Sequence, residues 1–425
     1  MQKSILIIGG GIAGLATAYE LSKHNVQVTL LEAKNRLGGR IHTFYDISFS
    51  QPVELGAEFI HGDLPHTLSI LNEAAISYNK INDTMFHLEK GAFKKQKSFT
   101  KDWDKVMKQM SALTHDMPLD VFIDTFFGDD KYADLRASIK GFAGGFDLAD
   151  TATASSKSLY REWSNEMENQ YRINGGYKVL IDYLATQCKN NGSIIQNNCC
   201  AKKISWHKNE VHVLTMCSRF FKADKAVIAV PVSVLQASNK DENYLEFEPA
   251  ILQHINAAKD IGFGDVIKII LEFDNNFWNA KNENAGFFLT DEIIPTWWSQ
   301  LPIKNAVLTG WVGGEKASSL KLNTDEEILK ITLQSLASAF DVSFDTIKSK
   351  LKAGKIANWC KEADINGGYS FNMVKSVDAK KVLRKPVEDT LFFSGEALFE
   401  GTPVGTVEAA LASGKHTALQ VLDTL

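Results

Sequence analysis

The chain has 425 residues, of which 44% are apolar and 23% charged, with a formal net charge of −5. This is the make-up of an ordinary globular protein large enough for two hydrophobic cores, and the negative balance argues against general binding to nucleic acid. Five cysteines, Cys188, Cys199, Cys200, Cys217 and Cys360, form no C-x-x-C pair and have no histidine at zinc spacing, so no metal site is expected. They read as reduced thiols of a cytoplasmic protein, Cys199 and Cys200 as strand residues, and no run is apolar enough to anchor the chain in a membrane.

In chain order the first element is a strand through Ile5 to Ile8, which runs into Gly9-x-Gly11-x-x-Gly14 and then a helix, with Ala13 inside the turn. Gly9 permits the tight turn, Gly11 lets the backbone approach a pyrophosphate, and Gly14 lets the helix pack on the sheet, while the helix N-terminus faces the negative charge. Glu32 ends the next strand, where a carboxylate accepts from a ribose diol. In the run Arg36-Leu-Gly38-Gly39-Arg40 the glycines offer a second close backbone approach and Arg40 a guanidinium fork for phosphate, a loop that a nicotinamide site does not require.

After GAEFIHG (56–62) comes a stretch from about 66 to 170 with helical spacing and many aromatics. Residues 172–192 read as a loop and an amphipathic helix ended by Asn-Gly, followed by short alternating strands that finish at Val230-Pro231. A second block, 250–385, contains DVIKIILEF, PTWWSQLP, AVLTGWVGG and a helix at Thr324 to Phe340. The last forty residues repeat the opening plan of apolar strand, Gly395-Glu396, a Gly-Thr-Pro-x-Gly loop ending at Gly405, and a helix. With no linker and no internal repeat, the chain is expected to cross between two interleaved domains: 1–65, 190–250 and 386–425 bind the nucleotide, and 66–189 and 251–385 bind substrate. The fold class is α/β, a Rossmann-like dinucleotide-binding domain beside an α+β domain.

These motifs in combination resemble the flavin-containing amine oxidases, the family of monoamine oxidases, polyamine oxidases and flavin-dependent histone lysine demethylases. The resemblance rests on GGGIAGL with Glu32 and RLGGR, ELGAEFIHG, VIAVPVSVL, GFGDVIKIILEFDNNFW, Trp359 ten residues before Tyr369, and FFSGE with GTVEAAL. It implies FAD held between two domains and amine oxidation at the flavin face, with Lys268 holding a water near the reactive ring nitrogen. It further implies that Tyr369 is one wall of an aromatic substrate cage. Trp359 packs on the flavin, Glu396 binds the ribityl chain, and Ala201 brackets the adenine. Thr406 and Val407 open a helix toward the pyrimidine end. Gly56, Ala57, Glu58 and Phe59 lie beside the ring, with Glu58 open to flavin or substrate contact.

GAEFIHG is similar to the GA-x-W-IHG segment of animal-type polyamine oxidases, which places His61 at the substrate, while a histidine satisfying a turn is the plain alternative. Two departures from the family follow. Thr406 stands where some members have a second cage tyrosine, against a preference for small arylalkylamines. Gly368 stands where monoamine oxidases carry the flavin-bonding cysteine, so FAD is expected to be non-covalent. The function expected is oxidation of a primary or secondary amine, polyamine-like, with dioxygen as acceptor. Amino-acid oxidation, for which Arg136, Arg161 or Arg172 would have to reach the cavity, stays open. So do desaturation of an apolar substrate and an FAD-binding regulatory protein without turnover.

Overall fold

The computed structural model describes residues 2–81, 84–95, 102–165, 169–280 and 285–425. Its first strand, Lys3–Ile8, lies at the centre of a five-stranded parallel sheet in the order Ile194–Gln196, Val26–Leu31, Lys3–Ile8, Lys225–Ile228, Leu391–Phe393. Parallel strands are covered on both faces and read as continuous apolar runs, and Lys225–Ile228 and Leu391–Phe393 are buried throughout. The alternation along the first strand divides the work. Ile5 and Ile7 join the core under the helices, whereas Leu6 and Ile8 face a second core that includes the Ala201–His207 and Glu210–Thr215 strands.

The first helix, Ile12–Ser22, packs against the last, Val407–Leu422. They approach so closely that a Cβ on Gly414 would stand 2.5 Å from the carbonyl oxygen of Ala13. The chain ends are thus joined by packing as well as by function. The Lys178–Asn190 helix buries Leu180, Ile181, Leu184 and Cys188 in the same core, so the structure places it with the parallel sheet and not with the 66–189 block to which the sequence division gave it.

The other half is built on a seven-stranded sheet, ordered Leu351–Asn358, Val266–Phe273, Val307–Gly313, Thr296–Ser299, Ala285–Leu289, Thr84–Glu89, Ala92–Lys95. Among the described residues of this sheet only the Ala285–Leu289 and Thr84–Glu89 pairing is parallel. In Val266–Phe273 every residue is buried, because its two faces meet different partners. Ile267, Ile269, Leu271 and Phe273 enter the core shared with the Asp325–Phe340 helix, while Val266 packs with Trp359 and Ile270 with Phe49, Val53 and Leu55. Lys268 shares that second face. The Asp325–Phe340 helix opens with a capping box between Thr324 and Glu327. The helices Trp103–Ser111, Leu119–Phe127, Ala133–Gly145 and Ser156–Ser164 form a separate apolar cluster, as the helical spacing of that stretch requires.

One strand reading is corrected. Cys199 and Cys200 precede the strand that begins at Ala201, because Asn198 adopts a left-handed φ of 55° and interrupts the extended run. Among the described residues no helix is long and apolar enough to cross a membrane, and no group of His, Cys, Asp and Glu could hold a metal ion.

Candidate active site

A cavity of about 1190 Å³ runs from the first glycine turn to the face of the Val266–Phe273 strand. All the residues assigned from sequence to cofactor or catalysis lie on its wall except Gly14 and Arg36. Gly14 serves packing, since a Cβ there would stand 2.0 Å from the Gly9 carbonyl oxygen. Arg36 donates to the carbonyls of Gly39 (2.9 Å) and Ile41 (3.2 Å) and so pins its own loop. The sequence counted Arg36 among the cofactor contacts, and it lies off this wall. Gly38 and Gly39, at φ of 105° and 59°, make that loop possible.

The wall fits a dinucleotide. A Cβ on Gly11 would meet no protein atom within 4 Å, so protein packing does not account for a glycine there, and the open space lies on the cavity side. The Ile12–Ser22 helix begins at Gly11 with no side-chain cap and no acid in its first turn, leaving its N-terminal N–H groups for an anion. Glu32, 7% exposed, accepts from the N–H of Gly10 (2.7 Å) and of Lys34 (2.8 Å), one on each oxygen, which orients the carboxylate and leaves lone pairs for a diol. Ala201 lies at this end.

The C-terminal segment completes the wall. Arg40 donates to Glu396 at 2.7 Å and to the Gly368 carbonyl at 3.0 Å, and Ser370 donates its hydroxyl to the other Glu396 oxygen at 2.6 Å. Trp359 is buried and donates from Nε1 to the Leu55 carbonyl at 2.9 Å, its ring lying 3.2 Å from where a Cβ on Gly56 would stand. A Cβ on Gly368 would stand 2.5 Å from Leu148 Cδ1 and 2.7 Å from Val266 Cγ1, so a larger residue there requires the buried strand to move. Gly395 is extended, Gly405 has a φ of 71°, and Thr406 then caps the last helix, accepting from the Ala409 N–H (3.2 Å) and donating to the Pro403 carbonyl (3.0 Å). The hydroxyl of Thr406 is therefore engaged in the cap, with Val407 as the first helical residue.

At the far end Lys268, 1% exposed, donates to Glu58 at 2.6 Å and to the Gly56 carbonyl at 3.0 Å. The other Glu58 oxygen accepts from Arg172 at 2.8 Å, and Arg172 also donates to the carbonyls of Ser299 and Leu301. Burial alone would raise the Glu58 pKa, but Lys268 and Arg172 outweigh it and hold the carboxyl below its ordinary value. Burial lowers the pKa of His61 to about 4, so the imidazole is neutral at physiological pH and free to accept a hydrogen bond. Among the described residues the His61 ring has aromatic neighbours, Phe59 at 5.8 Å and Phe146 at 6.2 Å between centroids.

Strand register separates the tryptophans. Trp297 is paired with Gly310 and lies in the core, whereas Trp298 and Trp311 come out on the Lys268 face, Trp311 directly opposite Lys268. Phe59, Trp298, Trp311 and Tyr369 form a continuous aromatic row, with centroids 5.4, 6.1 and 6.3 Å apart along it. Tyr369 donates its hydroxyl to the Phe146 carbonyl, and burial keeps the phenol neutral. From sequence Trp297, Trp298 and Trp311 are all candidates to line the cavity, with core the alternative for the Trp-Trp pair; the alternation of PTWWS, read as a strand against AVLTGWVGG, is the signal that divides them.

A cleft whose two halves come from opposite ends of the chain, with an uncapped helix N-terminus, a buried acid with lone pairs to spare and a buried cation at the far end, has the layout a dinucleotide-dependent oxidoreductase needs. Residues 12–422 match the family model described as flavin containing amine oxidoreductase, and the chain belongs to that family. Its cofactor is accordingly FAD, and its reaction class the oxidation of an amine carbon–nitrogen bond. It is 26% identical over 449 residues to polyamine oxidase 4 of Oryza sativa subsp. japonica, covering 97% of this chain and 87% of that one. It is also 26% identical over 458 residues to the lysine-specific histone demethylase 2 of Homo sapiens, covering 99% of this chain but only 53% of the demethylase. A solved structure of putrescine oxidase bound to putrescine superposes with a TM-score of 0.80 over 100% of this chain and 99% of the other, at 18% identity.

Proposed function

We propose that the protein is an FAD-dependent oxidase of polyamine-like primary or secondary amines, with the cofactor held non-covalently. The observation that carries the substrate class is the charge of the cavity wall. Among the described residues Arg40 is the only arginine on it, and Arg40 is engaged by Glu396. Arg136 is turned to the carbonyls of Phe127 and Asp129, Arg172 to Glu58, and Arg161 is exposed away from the wall, so none of the three offers a guanidinium to a substrate carboxylate. Asp147 and Asp291 are among the acids that line the same cavity, a pattern suited to a chain bearing more than one ammonium group. The similarity to a polyamine oxidase supports this reading.

Bound FAD would supply the redox chemistry, uptake of a hydride from the carbon beside the substrate nitrogen and return of the two electrons to dioxygen as hydrogen peroxide. Lys268 contributes fixed positive charge at the reactive end of the cavity, with one of its three N–H groups left after Glu58 and Gly56 are served. Tyr369 and Trp311 present aromatic faces along which an amine is placed, and the row through Trp298 to Phe59 keeps that wall dry. Neutral His61 accepts a hydrogen bond from a substrate N–H and takes no proton at physiological pH. Peroxide release from putrescine, spermidine, acetylated polyamines, arylalkylamines and amino acids tests the proposal. Polyamines lead the series if it holds, and amino acids leading would overturn it. Colour remaining with the acid-precipitated protein would refute the non-covalent attachment.

A further inference from the structure

The motif that GAEFIHG resembles leaves its third position open, and this chain fills it with an acid. Glu58 is buried, and each of its oxygens is taken: one by Lys268 at 2.6 Å, the other by Arg172 at 2.8 Å. Both hydrogen bonds join segments far apart in sequence. Arg172 comes from the Gln170–Ile173 strand, whose pairing also sets His61 opposite Gln170, and its guanidinium lies 4.7 Å from the centroid of Phe59. A carboxylate paired with two cations, which hold it ionised, binds a proton poorly and is not a general base. A buried lysine with three N–H groups and no carboxylate, by contrast, would have no fixed direction and no counter-charge.

We propose that Glu58 and Arg172 are positioning residues that act through Lys268. Arg172 orients the carboxylate, and the carboxylate and the Gly56 carbonyl hold two ammonium N–H groups. The third is thereby committed to the cavity. This inference rests on the reading that Lys268 serves the flavin. Glu54 also lies near enough to feel the charge of Lys268, and it accepts from Thr43 Oγ1 at 2.8 Å and from the Tyr177 N–H at 2.7 Å.

The test uses FAD-loaded protein reduced with dithionite, so that no amine substrate is involved, and compares wild type, Glu58→Gln, Lys268→Met and the double variant. Glu58→Gln is expected to slow reoxidation by dioxygen about tenfold in the wild-type background and to change it little once Lys268 is Met, the signature of residues acting as one unit. A second readout is the absorption spectrum of the oxidised, bound flavin as a function of pH. Glu58→Gln leaves Lys268 beside Arg172 without its counter-charge, so a spectral step moves to lower pH than in the wild type and is absent from the double variant. Equal slowing in both backgrounds, or a step that persists without Lys268, would overturn the inference while leaving the catalytic role of Lys268 intact. Lys268→Met that reoxidises like the wild type would instead remove that role, and this inference with it. Should Glu58→Gln not retain FAD, Arg172→Met in the same two backgrounds carries the same expectations and the same refutation.

Discussion

Arg40 and Glu396 are 356 positions apart in the chain, yet the guanidinium of one lies 2.7 Å from the carboxylate of the other on the wall of a single cavity. The loop after the second strand of the parallel sheet is thereby tied to the end of its last strand, and Ser370 holds the remaining Glu396 oxygen. Neither half of the cofactor site is complete alone. Replacing Glu396 by Gln keeps the shape and removes a charge-assisted bond, so FAD is expected to bind about tenfold more weakly with little change in fold. Fluorescence titration of apoprotein with FAD measures it, and unchanged affinity would deny Glu396 a part in binding.

Two glycines of the first turn separate cofactor binding from folding. Gly11→Ala puts a methyl group into open cavity, which should cost FAD affinity and leave the melting temperature of the apoprotein unchanged. Gly14→Ala puts one against the Gly9 carbonyl and should destabilise the apoprotein by about 1–3 kcal/mol. Thermal melts of both apoproteins decide the matter. Equal melting temperatures would mean that the first helix has room the geometry denies it.

Tyr369 is assigned to substrate through its ring. Tyr369→Phe, which loses only the bond to the Phe146 carbonyl, should keep most activity, whereas Tyr369→Ala should raise KM for the best amine by about tenfold. Steady-state kinetics on both variants checks this, and similar losses in the two would point to the hydroxyl instead.

Burial pushes Glu54 up to about 7, and Glu162 likewise to about 7. Both folded values exceed that of the unfolded chain, so folding favours the protonated form. The stability they contribute is full below about pH 4, falls as pH rises, and is gone above about pH 7. The melting temperature should therefore decline from pH 5 to pH 8, and Glu54→Gln should flatten part of that decline, with Glu162→Gln removing another part. Melting curves for the variants that run parallel to the wild type would contradict it.

Much of the site was legible because it is local. Gly9, Gly11 and Gly14 act within one turn, Glu32 within one strand, and Glu396 with the glycine before it, so spacing along the chain carries their meaning. Arg36 lies off the cavity wall because the turn at Gly38 and Gly39 brings two carbonyls to its guanidinium, which spacing along the chain does not show. The Lys268–Glu58–Arg172 cluster joins residues 114 and 210 positions apart, and only strand register brings them together. The same register divides Trp297 from Trp298, which residue type alone cannot do.

The most direct measurement is anaerobic mixing of the FAD-loaded protein with spermidine, putrescine, an arylalkylamine and an L-amino acid, following loss of flavin absorbance. Bleaching fastest with the polyamines, and slowed at least tenfold by Tyr369→Ala, is the result predicted. A flavin that no amine bleaches, or that an L-amino acid bleaches first, would contradict the account.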